Sequence, residues 1–329
     1  MDKIIGMGNA LVDVLVSLTD DKMLEELRLP KGSMQLINED RYLYIKSVFD
    51  QLETKRSTGG SSGNMVKALA MLGEKPGFIG KIGPDEMGDF YRSEGERVGI
   101  EMKLLMSEIR SGVASTFISK DGERTFATHL GAAYRMEASD LTPEMFKGYT
   151  YLYVEGYLVQ NHDLIMRAMQ LAKDAGLQVC LDLASYNIVA EDLDFFKLLV
   201  NRYVDIVFAN EEEAKAFAES NIGQALDIIS SLCSIAVIKL GSKGSVIKKG
   251  TEVVRLNTKK IDCVMDTTGA GDFYAAGFMF GLMNGYSLEK CGQIGTILAT
   301  EVIQVIGTSL SDEKWNEIKL NIQQLVHVK

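Results

Sequence analysis

Asp266-Thr-Thr-Gly-Ala-Gly-Asp-Phe-Tyr-Ala-Ala-Gly-Phe-Met-Phe-Gly-Leu282 is the stretch on which the reading of the whole chain turns. From Phe273 to Leu282 the residues are small or apolar almost throughout, which predicts a helix packed on several sides. Gly269 and Gly271 start that helix, and Thr267 or Thr268 is placed to accept from the free amides of its first turn. Without side chains at the glycines, backbone amides can converge on an anion, and the positive end of the helix dipole adds to the attraction. Asp272 follows directly, where a carboxylate can take a proton from a hydroxyl attacking a phosphoryl group held by those amides. The string alone also fits a tight turn whose acid complements the dipole.

Upstream of this stretch, from Thr150 onward, strand-like and helix-like segments alternate. Tyr151–Val154, Gln178–Leu183, Val204–Asn210 and Ala236–Leu240 read as strands, with helices at Leu164–Ala175 and near 222–232 and an edge hairpin around Lys249-Gly250. Repeated β-then-α order predicts an α/β fold with a largely parallel sheet, whose ligands gather at the carboxyl ends of the strands. Helices at 288–304 and 312–327 complete the chain. The length of 329 residues suits one large α/β domain with a small appendage, and 46% hydrophobic content is ample for its core.

A net charge of −10, with acids and bases interspersed, gives no basic surface for nucleic acid or an anionic membrane. The four cysteines, Cys180, Cys233, Cys263 and Cys291, lie far apart with no metal-ligand spacing, which points to reduced thiols and a cytoplasmic protein without structural zinc. No signal peptide and no apolar run of membrane-spanning length is expected.

The first strand, Ile4-Ile-Gly-Met-Gly8, invites a dinucleotide reading, but Leu11 stands where the third glycine belongs and no helix follows. Val12–Ser17 reads as another strand instead, so Asp13 is an acid in an apolar segment that either takes hydroxyls or amides or turns outward. Thr58-Gly-Gly-Ser-Ser-Gly-Asn64 is a polar loop feeding a helix closed by Gly73, with more polar groups than one cap needs. Ser33–Ile37, the strand at 12–17 and a hairpin at Ala114–Lys120 and Arg124–Leu130 predict a small separate sheet, able to act as a water-excluding lid of about 11–37 and 111–133. His129 on the hairpin is read as structural. Asn210-Glu-Glu-Glu213 follows a strand and fits a helix cap, and Lys239-Leu-Gly-Ser-Lys-Gly-Ser245 fits either a turn or a loop approaching a nucleotide. No P-loop string exists in the chain.

Asp-Thr-Thr-Gly-Ala-Gly-Asp-Phe resembles the second signature of the ribokinase-like (PfkB) family of sugar and nucleoside kinases, and Gly77–Gly88 resembles its first. Matches occur in family order along essentially the whole chain: Asn9/Asp13, Gly60/Asn64, Asn210/Glu213, Gly241/Gly244, and Gly269 to Asp272. The resemblance implies a single ribokinase-like domain over 1–329, three-layer α/β/α with a small β-sheet lid. It implies an ATP-dependent kinase acting on a primary hydroxyl. By the same resemblance Asp272 is the base, and the Gly269, Ala270 and Gly271 amides form the anion hole. Asn9, Asp13, Gly60 and Asn64 hold the substrate, and Asn210, Lys239, Gly241, Gly244, Ala299 and Ile303 lie toward ATP. Glu213 organises Mg2+ through water, and a monovalent cation such as K+ stays open.

The opening Gly-Asn-Ala-Leu-Val-Asp13 and the Arg124–Ala133 hairpin look like bacterial adenosine-kinase-like members, so the expected substrate is a nucleoside. Leu11, Phe117 and Leu130 either sandwich a purine or form the core of the lid. A kinase for ribose, fructose or 2-keto-3-deoxygluconate and a non-catalytic nucleotide or sugar sensor are the alternatives. Where many sugar kinases of the family carry Asp-x-Asn-x-Arg, this chain has Leu181-Asp-Leu-Ala-Ser-Tyr-Asn187 without the arginine, leaving the phosphate contact expected there without an owner. Monomer and homodimer both remain open.

Overall fold

The computed structural model describes residues 2–258, 261 and 264–327; Cys263 lies outside them. The amino-terminal elements are β1 (Ile4–Met7), β2 (Leu11–Ser17), α1 (Lys22–Glu26), β3 (Met34–Leu36), α2 (Glu39–Phe49), β4 (Lys55–Gly59) and α3 (Ser61–Leu72). Next come β5 (Gly77–Ile82), α4 (Glu86–Arg97), β6 (Glu101–Met106), β7 (Gly112–Ile118), β8 (Arg124–His129) and β9 (Tyr151–Glu155). The alternating half runs through α5 (His162–Asp174), β10 (Gln178–Asp182), α6 (Tyr186–Glu191), α7 (Leu193–Arg202), β11 (Ile206–Asn210), α8 (Glu211–Ala218), α9 (Ile222–Leu232) and β12 (Ile235–Lys239). It closes with β13 (Ser245–Lys249), β14 (Glu252–Leu256), α10 (Ala270–Met283), α11 (Leu288–Val302) and α12 (Asp312–His327).

The nine-stranded sheet has the order β14-β13-β12-β11-β10-β9-β1-β5-β6, parallel from β12 to β6 and antiparallel at the β12-β13-β14 edge. Its central strands are apolar on both faces because helices cover both. Ile4, Tyr151, Tyr153, Ile206 and Phe208 point into a core shared with α3, α10, α11 and α12. Their neighbours Ile5, Leu152, Val154, Val207 and Ala209 point into the opposite core with α5, α7, α8 and α9. The two-residue period of each strand thus produces the three α/β/α layers.

The second sheet has five strands, ordered β3-β8-β7-β2-β4. One face is closed: Val12, Val14, Val16, Val113 and Phe117 are buried, and Phe49 of α2 meets Phe117 edge-on with centroids 4.9 Å apart. The other face carries Leu11, Asp13, Leu15 and Phe126, all partly exposed. Phe117 therefore belongs to the closed core, and the reading that it sandwiches a ligand is corrected; Leu11 and Leu130 remain on the open side. His129 is stacked on Tyr42 with centroids 5.0 Å apart.

Strand β4 begins ahead of the stretch read as a glycine-rich loop and takes in its first residues, Thr58 and Gly59. It is an edge strand whose Lys55-Arg56 start is exposed, so it needs no apolar alternation. Strand β6, at the far edge of the large sheet, also had no clear sequence signal.

Candidate active site

Five neighbouring strands of the large sheet, β12, β11, β10, β9 and β1, end in a row of polar residues: Lys239, Asn210, Asp182, Glu155 and, just past β1, Asn9. Apolar strands that close on polar groups at the same edge mark that edge as the ligand side of a parallel sheet. The second sheet brings Asp13 and Arg124, and α3 and α10 bring Ser61, Asn64 and Asp272.

Helix α10 starts at Gly269, whose φ of +75° is left-handed and whose place as N-cap leaves no side chain over the first turn. Neither Thr267 nor Thr268 caps it, contrary to the sequence expectation. Thr268 instead donates its amide to Asp266 Oδ1 at 3.0 Å, and Asp266 Oδ2 accepts from Gly307 N at 2.8 Å. Asp266 also pairs with Arg124 at 2.8 Å, with both side chains less than a tenth exposed. This pair ties β8 of the second sheet to the loop ahead of α10.

Asp272 accepts from Ser61 Oγ at 2.7 Å and from Asn64 Nδ2 at 2.9 Å, while Asn64 Oδ1 accepts from Thr308 Oγ1 at 3.2 Å. Burial pushes its carboxyl up to about 6, partly offset by these two donors. It is thus mostly ionised near neutrality yet basic enough to accept a proton. Ser61 and Asn64 reach it because Gly60 turns the chain from β4 into α3: its φ is +84°, and a β-carbon there would lie 2.1 Å from Asn9 O.

Asn9 is held by Glu155, whose Oε1 accepts from Asn9 N and Nδ2 at 2.8 and 2.7 Å and whose Oε2 accepts from Ser62 N at 2.9 Å. Burial pushes Glu155 to about 7. Asp13 lies over Gly59, where a β-carbon would come 2.6 Å from both carboxylate oxygens. Burial raises Asp13 to about 7 against the pull of Arg124 and Lys67.

On the other side, Asn210 and Glu213 form a complete capping box at α8: Asn210 Oδ1 accepts from Glu213 N at 2.9 Å, and Glu213 accepts from Asn210 N and Nδ2 at 2.7 and 2.5 Å. Burial, with Asp182 nearby, raises Glu213 to about 7. Lys239 Nζ sits 2.8 Å from Asp182 Oδ2.

Gly241 and Gly244 turn the chain from β12 to β13, and Ala299 and Ile303 lie on and just past α11. Ile303 O accepts from Met265 N at 2.8 Å, which docks the loop ahead of α10 on the end of that helix. Asn9, Asp13, Gly60, Asn64 and Asp272 therefore form one cluster and Asn210, Glu213 and Lys239 another beside it. Gly241 and Gly244 follow Lys239 closely, while Ile303 lies at the end of α11 against the loop ahead of α10 and Ala299 one turn earlier on that helix.

Sequence reading missed Ser61, Glu155, Arg124, Asp182 and Asp266 as members. Glu155 had a usable signal, a charged residue closing the fully apolar strand Tyr151-Leu-Tyr-Val154. The partnership of Arg124 and Asp266 had none, since one lies on β8 and the other in the distant loop ahead of α10.

A hydrogen-bonded carboxylate beside a side-chain-free helix start, at the carboxyl edge of a parallel sheet and without a P-loop, suits the chemistry of a small-molecule kinase. Independent comparison agrees. The profile of the pfkB family carbohydrate kinases matches residues 33–315, and the chain belongs to that family.

It is similar to the crystal structure of adenosine kinase from Sinorhizobium meliloti, with a TM-score of 0.85 and 32% identity over 98% of this chain and 99% of that one. A probable sugar kinase from Rhizobium etli CFN 42 superposes with a TM-score of 0.86 at 29% identity, covering 98% and 99% of the two chains. The adenosine kinase of Schizophyllum commune is 26% identical over 97% of this chain and 98% of its own. Among the described residues no helix is long and apolar enough to cross a membrane.

Proposed function

We propose that this kinase phosphorylates the primary hydroxyl of a nucleoside, with ATP as donor. The observation that carries this reading is the open face of the second sheet. Asp13 stands in register with Ala114, and Ala114 with Thr128, which pairs with Leu36. Leu36, Thr128 and Leu130 line a cleft of about 670 Å³ that is closed from the large sheet's side by Val159, Gln160 and Ile188. A polyhydroxylated ring held at Asp13 thus has next to it a cleft that mixes apolar Leu36, Val159 and Ile188 with polar Asn38, Gln160 and Asp192, which offers a base both contact surface and hydrogen-bond partners and is superfluous for a free sugar.

In this assignment Asn9, Asp13 and the Gly60 turn hold the sugar hydroxyls. The acceptor oxygen forms its bond to the γ-phosphorus while the bond to the ADP oxygen breaks, and the hydroxyl proton passes to Asp272. Gly269, Ala270 and Gly271 amides face the phosphoryl oxygens, and Asn64 with Ser61 aims the base. Asn210, Gly241, Gly244, Ala299 and Ile303 flank the nucleotide, and the second sheet covers the site as a lid.

Mg2+ takes oxygen ligands and keeps several waters. Among the described residues no three His, Cys, Asp or Glu side chains form a metal cage, and both Glu213 oxygens already accept from Asn210. Glu213 therefore fits contact through water with an ion arriving on the ATP phosphates, where it neutralises developing charge.

The test is ATP-to-ADP turnover with Mg2+ against adenosine, inosine, guanosine, ribose, fructose and 2-keto-3-deoxygluconate. A nucleoside is expected to exceed every free sugar in kcat/KM; a free sugar in first place overturns the substrate assignment. Asp272→Asn is expected to lower kcat by about 100-fold or more with the fold intact.

A further inference from the structure

Lys239 is buried at the end of β12, with its side chain 14% exposed, and its ammonium faces the first turn of α10. A β-carbon built on Gly271 would come within 3.0 Å of Lys239 Nζ. By itself that placement is unfavourable, because the first-turn amides and the helix dipole present positive charge to a cation already penalised by burial. Asp182 holds the ammonium at 2.8 Å, and Asp182 with Glu213 more than offsets the burial, so Lys239 stays charged.

Asp182 is itself fixed. Its Oδ1 accepts from Ala184 N at 3.0 Å and its Oδ2 from Tyr153 Oη at 3.3 Å. Ala184 adopts a φ of +66°, which costs an alanine backbone strain, and Tyr157 Oη donates to Ala184 O at 3.4 Å. A strained turn thus aims a carboxylate that aims a lysine at a positive helix end. An anion between Nζ and the amides resolves the juxtaposition. Arg124 does not compete for that place, since its guanidinium is paired with Asp266 and reaches Thr268 Oγ1 at 3.4 Å.

We propose that Lys239 is a catalytic cation that contacts the transferring phosphoryl group opposite the Gly269–Gly271 amides, and that Asp182 is the positioning residue that directs it. This rests on the reading of α10 as the phosphoryl-transfer site. It gives an owner to the phosphate contact that the missing arginine after β10 leaves open: the cation comes from β12, two strands away, across Asp182.

The experiment compares wild type, Lys239→Met, Lys239→Arg and the double variant Lys239→Met/Asp182→Asn. It reads steady-state kinetics, thermal stability, and calorimetric binding of ADP with and without aluminium fluoride as a mimic of the phosphoryl group in flight. Lys239→Met is expected to lower kcat about 100-fold or more with the acceptor KM changed less than about threefold. It keeps ADP affinity and loses most of the gain that aluminium fluoride gives wild type, while Lys239→Arg recovers part of both.

The double variant, which leaves no unpaired buried carboxylate, is expected to regain stability without regaining turnover. Recovery of turnover along with stability makes Lys239 structural and overturns the proposal, as does a Lys239→Met kcat within about fivefold of wild type. If Asp272→Asn is crippled while Lys239→Met is not, this role fails and the kinase reading stands. If wild type turns over no acceptor in the panel, the aluminium fluoride comparison still decides the role of Lys239.

Discussion

At the scale of single residues the site is an arrangement of carboxyls kept from their ordinary behaviour by burial. Asp272 is pushed to about 6 and Asp13 to about 7, and the proposed mechanism uses both as carboxylates, one to accept a proton and one to hold hydroxyls. The profile of kcat/KM for the acceptor, which reports the free enzyme, is therefore expected to fall below about pH 7. Asp13→Asn should lower kcat/KM overall and move its acid limb toward about 6, where Asp272 alone remains. A limb that stays in place in the variant removes Asp13 from the binding role. The sequence made Asp272 and Asp13 legible because each is an acid in an apolar setting. It hid Asp182, because an aspartate followed by Leu183-Ala184 carries no sign of the lysine that it holds.

At the scale of elements, the β4–α3 turn is the joint that sets Asn9 on one side and Asp272 on the other, the positions proposed for substrate and base. Gly60 has a left-handed φ and lies against Asn9 O, whereas Gly73 at the end of α3 is also left-handed, at +104°, but has open space around it. Gly73→Ala should cost about 1–2 kcal/mol from backbone strain alone. Gly60→Ala adds a backbone collision and is expected to lower the melting temperature further and to depress kcat by displacing Ser61 and Asn64 from Asp272. Equal losses in the two variants would mean that the turn relaxes without disturbing the site.

The sequence displayed α3 and α10 clearly, since their apolar runs and glycine boundaries are local. It did not display β4 or β6, whose pairing lies at sheet edges where polar residues are tolerated. The open and closed faces of the second sheet were half legible: Leu11 and Phe117 are equally apolar in the sequence. Only the register places them on opposite sides.

Across the whole molecule, Asp13, Glu155 and Glu213 are raised to about 7 and Asp272 to about 6, while in the unfolded chain such carboxyls titrate near 4. Between those values the folded chain binds more protons than the unfolded one. Stability from these groups is therefore greatest below the unfolded pKa and is lost as pH rises through the folded values. His129, lowered by burial, acts in the opposite sense below about 6.5. Without ligands the melting temperature is expected to fall between about pH 5 and pH 8, and Glu155→Gln should flatten that fall. An unchanged slope in the variant would show that Glu155 is not raised.

The α/β class was legible from the alternation after Thr150, but the position of β1 was not. That strand lies between β9 and β5, with Ile4 facing Tyr151 and Ile5 facing Gly77. Strand β1 is thus a central one, and it stays open on one side until the chain has grown beyond Glu155. Its apolar Ile4-Ile5 edge must meanwhile be kept from other nascent chains, so successful production of this kinase depends on a folding order that its finished structure no longer shows.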